Sequence, residues 1–156
     1  YTSRFLTLTK GTGVINRIFH GYGKFEGEMD GRKNGALISM ANGKAVAFAI
    51  FNLQARGEMF VTHNDPVYEG MIVGLAPKPG DMIINVMKGK QLTNMRTQGT
   101  DENVVLTPVR QMSIAEQLSM LNTDEALEIT PKSLRLRKAI LNPNDRKKNE
   151  KSGTPL

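Results

Sequence analysis

With 156 residues, 39% hydrophobic and 23% charged, the chain has the composition of one folded domain, or one domain plus part of a second. It holds no run of about 18 apolar residues, which excludes a membrane-spanning helix, and no cysteine, which excludes a disulfide scaffold, a thiolate zinc site and a cysteine nucleophile. The 21 basic and 15 acidic residues give a net charge of +6, and its placement is uneven: Pro131–Leu156 carries eight basic and two acidic groups, so the first 130 residues sum to zero.

In chain order, Tyr1 to Glu26 reads as a short helix around Phe5, Leu6 and Leu8, stopped by Gly11-Thr12-Gly13, and then a strand over Val14–His20. One helix and one strand cannot bury both their faces, so this unit must pack on something else. With no initiating Met, the expectation is a processed chain or a fragment of something larger. Phe25–Asn34 turns to Gly, Asp, Glu and Lys, a plausible hinge. Strands are then predicted at Ala36–Met40 and Lys44–Phe51, joined as a hairpin by Asn42-Gly43, because both turn residues tolerate positive φ. Further strands are expected at Glu58–Thr62, Val67–Leu75, Met82–Met87 and Asn103–Val109. Ser113 and Glu116 form a capping box that starts a helix near Ile114. Glu125–Ile129 and Leu134–Arg137 are the last strand candidates, and Asn142-Pro143 opens a charged tail, either a short basic helix or a disordered extension. Short strands at this spacing point to a small barrel or sandwich.

No motif promises catalysis. The pattern Gly-x4-Gly-Lys-Ser/Thr is absent, and Gly21, Gly23, Gly27 and Gly31 have neither dinucleotide spacing nor strand–helix context, so they read as turns and a hinge. His20 and His63 are the only histidines and lack metal-ligand spacing. Ser39, Ser113 and Ser119 are not in nucleophile-elbow context. No catalytic, cofactor or metal residue is expected.

Two basic features remain. Pro77–Thr100 holds Lys78, Lys88, Lys90 and Arg96 against Asp81, a local charge of +3, with Gln91, Thr93, Asn94, Thr97, Gln98 and Thr100 as neutral polar groups. Such a loop offers cations to phosphates, and amides and hydroxyls to sugars and base edges. The bland reading is a long soluble connection, although a structureless stretch of this length is more often functional. The second feature is the C-terminal region. Arg135 and Arg137 alternate with Leu134 and Leu136, so a strand would bury the leucines and expose both guanidiniums on one face. Lys132 and Lys138 flank them, and Arg146-Lys147-Lys148 with Lys151 lies beyond. Neither feature contains an aromatic residue, which favours phosphate and shape contacts over base stacking. Without the loop, residues 1–76 and 101–130 hold nine basic and twelve acidic groups, so the body itself is slightly acidic.

These residues resemble a known family. Tyr1–Gly13, with the strand candidate ending Phe19-His20-Gly21-Tyr22, is similar to the end of the last elongation factor G-like domain of translational GTPases. The chain from Gly31 onward resembles the TypA/BipA branch: Gly31-Arg32-x-Asn34-Gly35-x-Leu37-Ile38-Ser39, Gly43–Ala49, Val67-Tyr68-Glu69-Gly70, Lys90-x-Leu92-Thr93-Asn94-Met95-Arg96, Gly99–Glu102 and Thr130-Pro131-x-Ser133-x-Arg135-x-Arg137-Lys138. The resemblance implies an α+β, mostly β fold. A helix–strand remnant of a ferredoxin-like domain (residues 1–26) would precede a small antiparallel β-barrel-like (OB-like) C-terminal domain with one or two helices (27–142) and a basic tail (143–156). It further implies a cytoplasmic, monomeric, ribosome-associated GTPase whose GTP and Mg sit in a G domain outside this chain, with a role in ribosome assembly and stress adaptation. The partners implied are large-subunit rRNA and the A-site tRNA acceptor arm, met by the loop from Lys88 to Arg96. The expected RNA-binding residues are therefore Lys78, Lys88, Lys90, Gln91, Thr93, Asn94, Arg96, Lys132, Arg135, Arg137 and Lys138. The competing expectation is a structural or protein-interaction domain whose basic groups only solubilise it.

Overall fold

A computed structural model describes residues 2–25, 32–89 and 105–152. Among the described residues four helices, α1 (Thr2–Leu8), α2 (Ala47–Gln54), α3 (Ile114–Ser119) and α4 (Pro143–Ser152), accompany eight short strands. The strands are β1 (Ala36–Ser39), β2 (Gly43–Lys44), β3 (Glu58–Met59), β4 (Pro66–Val67), β5 (Ile72–Leu75), β6 (Met82–Ile84), β7 (Glu125–Ile129) and β8 (Leu134–Lys138). The α+β class holds. Among the described residues the strands form three separate sheets, with no closed barrel.

The main sheet has the order β3-β5-β1-β6; β1 pairs antiparallel with β5 and parallel with β6. Every residue of β1 and β5 is buried, as in strands covered on both faces. The two-residue period then divides the core. Leu37 and Val73 face one cluster with Ile50 and Leu53 of α2, Met59, Val61, Val67 and Val86. Ala36, Ile38 and Ile72 face the other, which Leu136 and Leu127 of the β7–β8 hairpin close together with Met112 and Leu121 flanking α3. The sheet is thus a middle layer between α2 and the hairpin.

The predicted strand over Lys44–Phe51 is corrected to a two-residue strand followed by α2. Its alternating alanines fit either conformation, and alanine favours a helix wherever no ladder partner is available. Here β5 and β6 already occupy both sides of β1. Ala49, Ile50 and Leu53, at helical spacing, are the residues α2 buries. His63 supplies the missing N-cap, its Nδ1 accepting from Ala47 N–H at 3.2 Å. The Asn42-Gly43 hairpin does not form either, because β2 pairs with β4. Asn42 Oδ1 instead accepts from Glu69 N–H at 2.8 Å, so the turn carries the chain from one sheet to another.

Val67–Leu75 is broken at Gly70, which has φ +83 and lies against Leu141, where a Cβ would collide. Val14–His20 forms no strand; Ile18, Phe19 and Tyr22 are exposed, and no described segment pairs with them. Residues 105–109 are irregular. The Gln54 amide stands in for a ladder there, donating to Thr107 O at 2.9 Å and accepting from Thr107 N–H at 3.2 Å. The predicted capping box is present: Ser113 Oγ accepts from Glu116 N–H and Glu116 Oε2 from Ser113 N–H. The start of the tail is helical, with Pro143 in the first turn and Asn142 Oδ1 accepting from Asn144 N–H. Among the described residues no helix is long and apolar enough to cross a membrane.

Candidate nucleic-acid interface

Whether a cation can meet a phosphate depends on what it already holds. Lys138, expected to bind RNA, is 2% exposed, and its ammonium donates to Asp81 at 2.5 Å, Asp124 at 2.7 Å and Glu125 at 3.1 Å. Burial alone would lower its pKa; the carboxylates outweigh that and lift it above the ordinary lysine value. Glu125 also takes a two-pronged contact from Arg32, at 2.7 and 3.1 Å, and accepts from Asn122 N–H. Asp81 Oδ1 accepts from Ala36 N–H at 2.7 Å. Burial opposes ionisation of Asp81, but its bonds from Lys138 and Ala36 hold its carboxyl below the usual range. These five groups fasten the hairpin to the edge where β1 begins. Lys138 is therefore removed from the candidate interface: it lies in the interior and is neutralised there.

The other cations form two groups. Lys78 precedes β6 and Lys88 follows it; both are exposed and without an ion pair among the described residues. Val46 N–H bonds to Val86 O, and Met87 packs at Gly43, so the exposed Lys44 joins the Lys88 end of β6. Sequence reasoning passed over Lys44, since only the tertiary pairing brings residues 43–46 beside 86–88. Lys90, Gln91, Thr93, Asn94 and Arg96 lie outside the described residues.

The second group is on the hairpin. Lys132 is exposed at its turn. Arg135 and Arg137 share one face of β8, as the alternation predicted, but are half-buried where exposure was expected; Leu136 is buried and Leu134 only partly so. Neither guanidinium is free. Arg135 donates to Glu128 Oε1 at 3.2 Å, and Arg137 donates to the carbonyls of Lys138 and Ala139. Glu128 Oε2 accepts from the Tyr68 hydroxyl at 2.6 Å. That bond, with the charges of Arg135 and Arg137, keeps Glu128 below the usual carboxylate range despite burial. Burial and the Glu128 bond push the Tyr68 hydroxyl up to about 12. Tyr68 connects the two groups, because its neighbour Val67 pairs with Gly43.

In α4, Arg146 is occupied by the carbonyls of Ile140 and Leu141, and Lys148 by Asp145, leaving Lys147 and Lys151 exposed without an ion pair among the described residues. The arrangement can present cations to a polyanion. Among the described residues it brings together no three side chains able to hold a metal.

The TypA/BipA C-terminal domain family matches residues 34–143. The large ribosomal subunit assembly factor BipA of Buchnera aphidicola subsp. Schizaphis graminum is 46% identical over 157 aligned positions, covering 100% of this chain and 26% of that protein. The proteins of the same name from Salmonella typhimurium and Escherichia coli K12 are 46% identical over 149 positions, covering 95% of this chain and 24% of theirs. The chain spans about a quarter of the length of these curated relatives. With a family match over most of its residues and near-half identity along its length, the chain belongs to the TypA/BipA family, in its C-terminal domain.

Proposed function

We propose that this chain is an RNA-docking module that places a ribosome-associated GTPase on the large subunit. One observation carries the reading. Lys88, exposed and free of ion pairs among the described residues, stands beside Lys44 where the chain enters the segment holding Lys90, Gln91, Thr93, Asn94 and Arg96. The relatives' name, large ribosomal subunit assembly factor, supports it. In this reading the loop meets large-subunit rRNA and the A-site tRNA acceptor arm. Lys78, Lys132, Arg135 and Arg137 add contacts at the flanks, and α4 adds unspecific attraction. GTP hydrolysis belongs to parts of the longer relatives beyond this chain, and residues 1–26 close a neighbouring ferredoxin-like domain. A cytoplasmic role in ribosome assembly under stress belongs to the same reading.

The test is cosedimentation of the chain with 50S and 70S particles across a salt series. The wild type should lose binding steeply as salt rises, because phosphate contacts release counterions. Replacing Lys88, Lys90 and Arg96 together by Glu should abolish pelleting while the unfolding midpoint stays put. Unchanged pelleting of that variant would refute the assignment. The competing reading, a protein-interaction domain, draws on the exposed Ile18, Phe19, Tyr22 and Phe25; it predicts association that is nearly indifferent to salt.

A further inference from the structure

Between α3, the β7–β8 hairpin and the Phe60–Thr62 segment lies an open cleft of about 840 Å³, within the range of small-ligand sites. Ile72, Leu136 and Met112 give it an apolar floor. Gln117, one of its lining residues, is only 8% exposed. Its Nε2 donates to Met112 O at 3.3 Å, yet its Oε1 is buried with no partner among the described residues. A buried acceptor left unpaired is costly, and its presence marks a place where a donor belongs. Two lining residues, Gln111 and Lys132, are exposed and make no hydrogen bond or ion pair among the described residues. The other charges of the lining are already answered: Arg110 by Glu58 and Glu116, Arg135 by Glu128, and Asp65 by the N–H and hydroxyl of Thr62.

A ligand for this cleft must bring an N–H donor on an apolar body and an anion at the rim. The geometry points to a single unstacked RNA nucleotide whose base carries an exocyclic amino group. The amine donates to Gln117 Oε1, the Gln111 amide meets the remaining base edge, and the phosphate pairs with Lys132. An extended peptide fits less well, because each buried N–H would come with a carbonyl for which the lining has no unpaired buried donor. This goes beyond the docking reading in assigning a base-reading site that shares Lys132 with the docking face, and rests on that reading only for RNA as the source of the nucleotide.

The experiment is a titration of the whole chain followed by amide NMR, with AMP, CMP, UMP, inorganic phosphate, a single-stranded adenylate hexamer and an oligoglutamate peptide as probes. AMP and CMP should shift the amides of Gln111, Gln117 and Lys132, phosphate only that of Lys132, and UMP, lacking the amine, should bind several-fold more weakly. The hexamer should bind about tenfold more tightly than AMP, through added phosphate contacts. Q117L keeps the volume and removes the acceptor. It should cost AMP about tenfold in affinity and erase the preference over UMP. Its unfolding midpoint should move little, since relief of the unpaired buried acceptor offsets the loss of the 3.3 Å bond to Met112 O. If Q117L does not fold, K132E carries the test, because Lys132 is exposed and unpaired; it should lose the phosphate response and weaken AMP.

Several results would overturn the proposal: no shifts at millimolar AMP, Q117L or K132E behaving as wild type, or the peptide shifting the same amides more strongly than AMP. Equal affinity for hexamer and AMP would overturn RNA as the source. Ribosome pelleting that persists without an AMP response would remove the cleft assignment alone; an AMP response without pelleting would remove the docking reading alone.

Discussion

Lys138 and Lys88 are the same residue type, both expected from the sequence to bind RNA, and the fold places them in opposite settings. Lys138 is buried among Asp81, Asp124 and Glu125, where it joins the hairpin to the main sheet. Lys88 is exposed and holds nothing among the described residues. Taking a charge out of water is costly, so a buried cation is retained only where carboxylates surround it, and it is then unavailable to a partner. Part of the +6 that suggests a polyanion is thus internal structure. The exposed Lys44, Lys78 and Lys88 hold no ion pair among the described residues.

The sharpest way to break this contrast is K138M, which keeps most of the stem and deletes the charge. Three carboxylates would then face one another without their shared cation. Removing one partner of a buried ion pair costs about 3–5 kcal/mol; with Asp81 and Asp124 36% and 47% exposed and Glu125 still paired to Arg32, the lower end, about 3 kcal/mol, applies. For a domain of this size that lowers the thermal midpoint by roughly 6–12 °C, as scanning calorimetry would read. The pH dependence separates the charge from the packing. Asp81 is held below its unfolded value, so its contribution is present above about pH 4 and lost as pH falls through the folded value. Lys138 is raised, so its contribution is complete below about pH 10.4 and lost as pH climbs through its folded value. The stability gap between wild type and K138M should therefore be widest between these limits and shrink beyond both. A gap independent of pH would mean that the lost packing, and not the ion network, is responsible.

Y68F tests the link between the two cation groups with a smaller effect. It removes the 2.6 Å bond to Glu128 and leaves the ring in place. A hydrogen bond to a half-exposed carboxylate is worth about 1 kcal/mol, readable as a shifted urea midpoint at constant slope. Glu128 should at the same time titrate higher, because the bond that holds it down is gone. An unmoved Glu128 would show that Arg135 and Arg137 suffice to hold it.

How much of the fold and interface was legible depends on how far apart the interacting residues lie in sequence. The Ser113–Glu116 cap and the β7–β8 strands rest on neighbours within a few residues, and both were readable. The Asn42-Gly43 signal is equally local, yet it was overridden when β5 and β6 took both sides of β1. The α2 segment misled because alternating alanines carry no strong period of their own, so the position of the neighbouring strands decided. The ion network could not be read at all. Arg32 and Glu125 are 93 residues apart; the alternation does put Lys138 on the face of Leu134 and Leu136, but only the assembled hairpin shows which carboxylates meet it there. For the candidate interface, alternation put Arg135 and Arg137 on one face but did not show that both would be half-buried and engaged. Lys44 and the Gln117 cleft became visible only once the sheet and hairpin were assembled.

The smallest expected effect on stability is the most informative about function. Lys78 and Lys88 sit outside the ends of β6, exposed and unpaired among the described residues. Reversing each to Glu removes no packed atoms and no described ion pair, so each change should move the unfolding free energy by no more than about 0.5 kcal/mol. The double variant should match wild type in urea. If Lys88 meets phosphates, the same variant should weaken 50S association and flatten its salt dependence by roughly one unit of log–log slope per lost phosphate contact. The two outcomes are independent. A destabilised variant with wild-type pelleting would place these lysines with Lys138 as structural charge, whereas a stable variant with weakened pelleting would keep the two kinds of lysine apart.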